Sequence, residues 1–304
     1  MTDTRRATLY LKALIQSTRP AFLVLTPVCV FVGLSTALAS QAAIDPRLFA
    51  LALVGALCAH VSVNTLNEYF DFTNGLDLKT ARTPFSGGSG ALPAHPELAG
   101  SVLVLGLASL AVTLSIGVYL IAKYGVPLLA LGLSGVLLIV TYTRWINRSP
   151  LLCLIAPGLG FGLIMVVGTH VVLTGSYAPL AWLVALVPFF LVNNLLLLNQ
   201  YPDRDADASV GRRHFLIAFG VQKSNLAYAA FLVAAYATIG LLVLGQYLPR
   251  LALVALIPAV FSLFSLSGAL EHKSRIGEHP RYLASNVAAT LLTPLLLGVS
   301  ILTG

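Results

Sequence analysis

The sequence predicts an all-α integral membrane protein with nine transmembrane helices and Asp-rich cytoplasmic loops. Three observations carry this reading. Of 304 residues, 58% are hydrophobic and 10% are charged, against about a quarter charged in an ordinary soluble domain. The mean hydropathy is +0.89. The apolar residues fall into nine runs that approach the ~20 residues needed to cross a hydrocarbon core, and none of the nine contains Asp, Glu, Lys or Arg. With 18 basic and 11 acidic side chains, a soluble surface could not be covered. Disorder, a disulfide-stapled secreted fold and a cytosolic enzyme are excluded. Cys29, Cys58 and Cys153 all lie in apolar runs and form no CxxC, so neither a cysteine metal site nor a disulfide framework is expected. The formal charge of +7 is spread along the chain. It reports topology and not a nucleic-acid partner.

The runs follow in order. The first, 21–40, comes after Arg5, Arg6, Lys12 and Arg19. These bases and Ala37-Leu38-Ala39 resemble a secretion signal with its cleavage site, but the apolar stretch is too long for one and reads as an uncleaved first helix. The second, 49–66, runs directly into an acidic segment. The third is 98–121. The fourth, 127–143, is among the shortest. The fifth and sixth, 151–174 and 180–199, are joined by the short turn Gly175–Pro179, and the sixth again runs into acids. The last three are 225–245, 251–268 and 283–302. Pro27, Pro157, Pro188, Pro258 and Pro294 lie inside runs, which membrane helices tolerate as bends.

A cytoplasmic N-terminus places 15 of the 18 basic residues in inside segments, leaving Arg47, Lys123 and Arg250 outside. That asymmetry fits nine helices with the C-terminus on the opposite side. Residues 1–304 read as one polytopic domain. Two inside loops are long, 67–97 and 200–224, and they hold seven of the eleven acids. Long loops in compact proteins are usually functional.

The second run ends in Asn67-Glu68-Tyr69-Phe70-Asp71-Phe72-Thr73-Asn74-Gly75-Leu76-Asp77. Asn67 and Asp71 are four apart and share a helix face, which His60 and Asn64 continue inward. Gly75 is expected to end the helix and let Asp77 fold back. The sixth run ends in Asn199-Gln200-Tyr201-Pro202-Asp203-Arg204-Asp205-Ala206-Asp207. Asn199, Asp203 and Asp207 fall on one face, with a kink expected at Pro202; Asp205 points away. Amide and carboxylate oxygens suit a hard cation. Two facing clusters drawn from Asn67, Asp71, Asp77, Asp203 and Asp207 fit Mg²⁺ bridging to a diphosphate. Solvated acids capping helix ends are the plain alternative for any one of them; paired motifs on two helices favour the functional reading. Lys79, Arg82 and Arg212 follow the motifs closely and are expected to contact the diphosphate, as Arg does well, although each could equally set topology. Asn67 and Asn199 join them as substrate contacts. Phe85-Ser86-Gly87-Gly88-Ser89-Gly90 could present backbone N–H groups to a phosphate, with a plain flexible loop as the default.

On these motifs the sequence resembles the UbiA superfamily of intramembrane prenyltransferases from Arg19-Pro20 to the last run. NEYFDFTNGLD looks like its first Asp-rich motif, in the spacing of the menaquinone branch (1,4-dihydroxy-2-naphthoate polyprenyltransferases). NQYPDRDADASVGRR looks like the second. The resemblance implies helices around a central cavity, Mg²⁺-dependent binding of a polyprenyl diphosphate, and transfer of the prenyl chain to an acceptor, often aromatic. It adds Tyr142, where the family often has Tyr, to Asp71 and Asp203 as catalytic candidates; a ring face there would steady an allylic cation. The sequence departs from the family at Glu68, where Asp is common, at Phe161 after Gly158-Leu159-Gly160, where an acid is common, and at Arg212, where Lys is expected. No general base is evident, and the oligomeric state cannot be read. The rival reading is a cation-coupled secondary transporter. Its site would lie near the bilayer midplane, whereas every acid here is expected at a membrane surface.

Overall fold

Proline marks the start of most helices in the computed structural model, which describes residues 3–304. Helix α1 spans Asp3–Ser17. It is followed by α2 (Pro20–Ala39), α3 (Pro46–Thr73) and α4 (Pro96–Tyr124). Then come α5 (Val126–Thr141), α6 (Pro150–Thr174), α7 (Pro179–Asn199), α8 (Phe215–Leu244), α9 (Arg250–Glu278) and α10 (Pro280–Thr303). Pro20, Pro46, Pro96, Pro150, Pro179 and Pro280 sit in the first turn of their helices. There the missing N–H costs nothing and φ is already helical. Short turns close the far ends, with Gly125 and Gly175 at positive φ. No strand occurs among the described residues.

Each expected run corresponds to one helix. Eight are long and apolar enough to cross a membrane: α2 to α4 and α6 to α10. The run expected at 127–143 is the exception. Helix α5 has 16 residues, or about 24 Å at the helical rise, short of the ~30 Å core. Gly125 breaks the chain before it, and the turn at Tyr142–Trp145 ends it.

The helices form a closed ring in sequence order, each lying along the next from α2 to α10, with α10 returning to α2. Helix α2 also packs on α6 and α7, and α7 on α10, through the middle. In lipid no hydrophobic effect drives such contacts, so close backbone approach and polar side chains must supply them. A Cβ on Gly33 would meet the Val166 carbonyl at 2.5 Å and Thr169 Cβ at 2.7 Å. Gly158 and Gly162, in a widened π-turn after Pro157, let α6 touch the Phe189 backbone of α7. The freed Gly158 N–H donates to Asn193 Oδ1 at 2.6 Å.

Polar side chains bind the second half of the ring together. Tyr228 of α8 donates to Asn286 of α10 (2.8 Å), Asn286 to the Asn194 carbonyl of α7 (3.1 Å), and Asn194 to the Tyr228 carbonyl (2.9 Å). The first half stays open. A cavity of about 440 Å³ lies between α2 and α7, walled by Leu51, Ile116, Leu131, Ile164 and Leu195 and reaching the acidic motifs at one end. Helix α1 lies by that end. Its Ala13 packs with Leu92, Leu98 and Val102, while Leu9, Leu11 and Ile15 are exposed, as for a helix resting in a membrane interface.

Gly162→Val is expected to lower the thermal midpoint sharply or to prevent folding, because its side chain meets the Phe189 backbone and overpacking of this kind costs about 1–3 kcal/mol. Gly160→Ala, with open space around it, should melt like the parent. Detergent-phase thermal unfolding of both variants distinguishes the two.

Candidate functional site

The cavity's polar end is built from the tails of two helices. Helix α3 ends at Thr73, where Asn74 Oδ1 accepts from the Leu76 N–H (2.9 Å) and Gly75 takes φ 81°. The chain then doubles back so that Leu76 and Asp77 donate their N–H groups to the Asp71 carbonyl at 2.9 and 3.3 Å. Asp71 is buried on the last turn of α3 and Asp77 beneath it, the fold-back expected of Gly75. Helix α7 ends at Asn199, and 200–203 is a turn, so the chain breaks where Pro202 was expected to kink it. Asn199, Asp203 and Asp207 thus do not share one continuous helix. A short helix, Arg204–Ser209, keeps Asp207 one turn from Asp203, its N–H on the Asp203 carbonyl at 2.8 Å. Asp205 is exposed, as expected from its position on the far side.

Gly211, at φ 80°, turns the chain over so that Arg212 points back. Its guanidinium donates to Asp207 Oδ1 at 2.7 Å and forms an ion pair with Asp71 Oδ1. The two motifs, 141 residues apart between Asp71 and Arg212, are thereby joined. Burial works against the charge of Arg212, but Asp71 and Asp207 outweigh it and raise its pKa above the usual guanidinium value. The Gly-rich loop supplies the second tie. The Gly87 N–H donates to Asp203 Oδ2 (2.9 Å), while the Ser89 N–H and hydroxyl both reach Glu68 at 2.7 Å. The loop is therefore built in and not free. Glu68, fully buried, also pairs with Arg19 at 2.6 Å. Arg19 has positive φ, which is costly for a side-chain-bearing residue, and it donates to Asn67 as well (3.1 Å).

Of the residues expected from sequence, Asn67, Asp71, Asp77, Tyr142, Asn199, Asp203, Asp207 and Arg212 line the cavity. Lys79 and Arg82 do not. The turn at Leu76–Thr80 directs Lys79 outward, where it is exposed, and Arg82 lies exposed against the Gly-rich loop with only the Ser89 carbonyl in reach at 3.4 Å. Asp71, though at a helix end, is 3% exposed and so is shielded from solvent. Sequence reasoning missed Asn147, Gln200 and His214, all cavity-lining, and the part played by Arg19. Only Arg19-Pro20, a base at the head of the first run, carried a local signal. His214 reaches Asp207 across the Gly211 turn (3.1 Å), which no helical spacing predicts.

Among the described residues, no three Asp, Glu, His or Cys side chains converge as a ready cation cage. Arg212 stands between Asp71 and Asp207 instead. Three oxygens at this end are nevertheless buried without a hydrogen-bond partner: Asp77 Oδ2, Asn199 Oδ1 and Asp203 Oδ1. Acceptors left bare in a buried site are costly. They fit a cation such as Mg²⁺, which takes one or two carboxylates and completes its shell with phosphate and water. Burial pushes the Asp77 carboxyl up to about 8, aided by Glu68 and Asp71. Burial pushes Asp203 up to about 7, aided by Asp207 and opposed by the Gly87 N–H.

Residues 26–287 match the profile of the UbiA prenyltransferase family. The chain is 30% identical over 248 residues to the 1,4-dihydroxy-2-naphthoate octaprenyltransferase of Bacillus subtilis (strain 168), covering 79% of this chain and 77% of that protein. A solved digeranylgeranylglyceryl phosphate synthase shares its fold with a TM-score of 0.68 at 14% identity, over 97% of this chain and 99% of that one. A UbiA homolog from Archaeoglobus fulgidus bound to DMAPP and Mg²⁺ gives 0.66 at 14% identity, over 95% and 99%. One from Aeropyrum pernix K1 without ligand gives 0.66 at 18%, over 92% and 97%.

The raised carboxyls set a pH dependence. Their protonated forms favour the fold below the ordinary carboxylate value of 3.8, and that contribution is lost as pH rises through about 7 and 8. Without divalent cation the thermal midpoint should fall between pH 6 and pH 8.5, and the stabilisation added by Mg²⁺ should grow over the same interval. In the Asp77→Asn/Asp203→Asn double variant both trends should flatten in thermal-shift measurements. Unchanged slopes would show that these carboxyls do not carry the effect.

Proposed function

The chain belongs to the UbiA prenyltransferase family and is an integral-membrane prenyltransferase, and we propose that it moves a prenyl chain from a polyprenyl diphosphate to a hydroxylated aromatic acceptor. The observation that carries this reading is the convergence of the two acidic motifs on one end of an apolar cavity, closed by Arg212. A naphthoate acceptor is favoured by the Bacillus subtilis relative and by the spacing of the first motif. The Mg²⁺-bound homolog supports use of that ion.

Asp71, Asp77, Asn199 and Asp203 are the residues that would hold the metal, with Asn67 and Asp207 beside them. Bound Mg²⁺ supplies positive charge to the departing diphosphate. The chain's own contribution is positional. Asp207 and Asp71 hold Arg212 at the cavity's polar end, where its planar donors suit phosphate oxygens. Gly87 fixes the direction of Asp203, so the charge that meets the leaving group is preorganised. The prenyl chain lies along the apolar walls, away from water. Tyr142 and Phe161 line the cavity and offer ring faces to an allylic cation.

Nine membrane passages follow if the short α5 crosses with its flanking turns. The distribution of basic residues supports a cytoplasmic N-terminus and motif face, with the C-terminus opposite. A cysteine at Ser209, which is exposed, should react with an impermeant thiol reagent only when the cytoplasmic face is accessible.

The direct test is purified protein with Mg²⁺, labelled prenyl diphosphates of several lengths and a panel of aromatic acceptors. Transfer should vanish in excess chelator. Asp71→Asn and Asp203→Asn should each lose about 100-fold or more in kcat, with Asp205→Asn near the parent. Because Asp71 holds Arg212 in a buried pair, Asp71→Asn should also lower the thermal midpoint. Full turnover in chelator, or an equal loss in Asp205→Asn, would overturn the assignment.

A further inference from the structure

The buried polar atoms without partners at the cavity's polar end are of two kinds. Asp77 Oδ2, Asn199 Oδ1 and Asp203 Oδ1 are oxygens of the acidic motifs. The other is a nitrogen, Nδ1 of His214. His214 is 1% exposed, lines the cavity, and lies at the head of α8. Its Nε2 stands 3.1 Å from Asp207 Oδ2. A carboxylate only accepts hydrogen bonds, so Nε2 carries the hydrogen. In that tautomer Nδ1 keeps a bare lone pair. The three oxygens are of the hard kind that Mg²⁺ takes, whereas this nitrogen, held in place through Asp207, offers an acceptor to a hydroxyl donor.

The surroundings say what kind of ligand. The Arg213 N–H donates to the Asn147 carbonyl (2.9 Å), which pins the His214 segment beside Asn147. Asn147 Oδ1 and Gln200 Nε2 meet at the Cys153 thiol (3.5 and 3.4 Å). Tyr142, Asn147 and Gln200 line the cavity with His214. Tyr142, Asn147 and Gln200 are uncharged, and through His214 they adjoin the Asp207–Arg212 pair. Such groups suit a hydroxyl on an aromatic ring placed next to the diphosphate end.

We propose that His214 binds the acceptor substrate, its Nδ1 accepting a hydrogen bond from a hydroxyl on the aromatic ring while its Nε2–H holds Asp207. One side chain then links the two substrates: one nitrogen orients the carboxylate that carries Arg212, and the other sets the acceptor ring against the prenyl end. This inference rests on the reading that the acceptor is a hydroxylated aromatic.

Two substitutions separate the two nitrogens. His214→Gln can place an amide N–H where Nε2 stood, so it keeps the bond to Asp207 and loses the lone pair at Nδ1. His214→Asn reaches only the Nδ1 position and loses the bond to Asp207. Binding is measured by titration calorimetry on the purified full chain. The probes are a hydroxylated naphthoate, the matched naphthoate lacking the hydroxyl, and geranyl thiolodiphosphate with Mg²⁺. The parent should prefer the hydroxylated ring by about tenfold or more, the worth of one buried hydrogen bond. His214→Gln should abolish that preference and bind the diphosphate analogue as the parent does. His214→Asn should keep much of the preference and bind the analogue more weakly. Three results would overturn the proposal: no preference in the parent, an undiminished preference in His214→Gln, or loss of the diphosphate analogue in His214→Gln. A parent that shows the hydroxyl preference but transfers no prenyl group would instead count against the proposed reaction, leaving the assignment of His214 intact.

Discussion

The structure depends on one buried guanidinium. Helix α3 brings Asp71 to the polar end of the cavity, and the segment after α7 brings Asp207 there. Both carboxylates are buried, and like charges so placed would drive their helix ends apart. Arg212 between them cancels the repulsion. Removing a buried charge from its partners costs about 3–5 kcal/mol, so the pair of ion bridges also decides how the two halves of the ring meet. Arg suits this place better than Lys, because its planar fork can serve two carboxylates at once and still face a phosphate. The glycine before it is part of the same arrangement, since Arg212 can turn back only where Gly211 adopts positive φ.

The Gly-rich loop closes the same end from the other side. Ser89 and Arg19 both hold Glu68, and Gly87 holds Asp203. A change in one motif is therefore felt in the other through backbone N–H groups as well as through charge. Glu68 is the point at which the chain departs from the commoner Asp of its family. Its longer side chain spends both oxygens on Arg19 and Ser89, so it anchors the loop and does not line the cavity. The positive φ of Arg19 belongs to this anchor: strain at the joint between α1 and α2 is offset by a buried ion pair.

Packing divides the ring in two. In the second half, Tyr228, Asn286 and Asn194 hydrogen-bond across three helices, and the interior is filled. In the first half, glycines bring α2 against α6 and α6 against α7, but α3 to α5 stand off and leave the cavity. Lipid offers no hydrophobic penalty for such a gap, so an apolar chamber beside a filled bundle is stable there in a way it would not be in water.

What the sequence determined by itself was whatever obeys a local rule. The bilayer's thickness and the absence of charge located the apolar helices α2 to α10, though not α1, and the four-residue helical repeat put Asn67 and Asp71 on one face. The positive φ open to Gly75 foretold the return of Asp77. The paired motifs named seven residues that line one cavity, Asn67, Asp71, Asp77, Asn199, Asp203, Asp207 and Arg212, and the family resemblance added Tyr142 to the same wall. Tertiary structure decided which distant segments meet. Lys79 and Arg82 follow the first motif closely, yet the turn at Leu76–Thr80 carries Lys79 outward and Arg82 packs on the loop. Arg212 crosses 141 residues to Asp71, Glu68 faces Arg19 and not the cavity, and His214 reaches Asp207 around a glycine turn. These pairings depend on helix–helix approach set by small residues far apart in the chain. Hydropathy and periodicity act within one helix and carry no information about that approach.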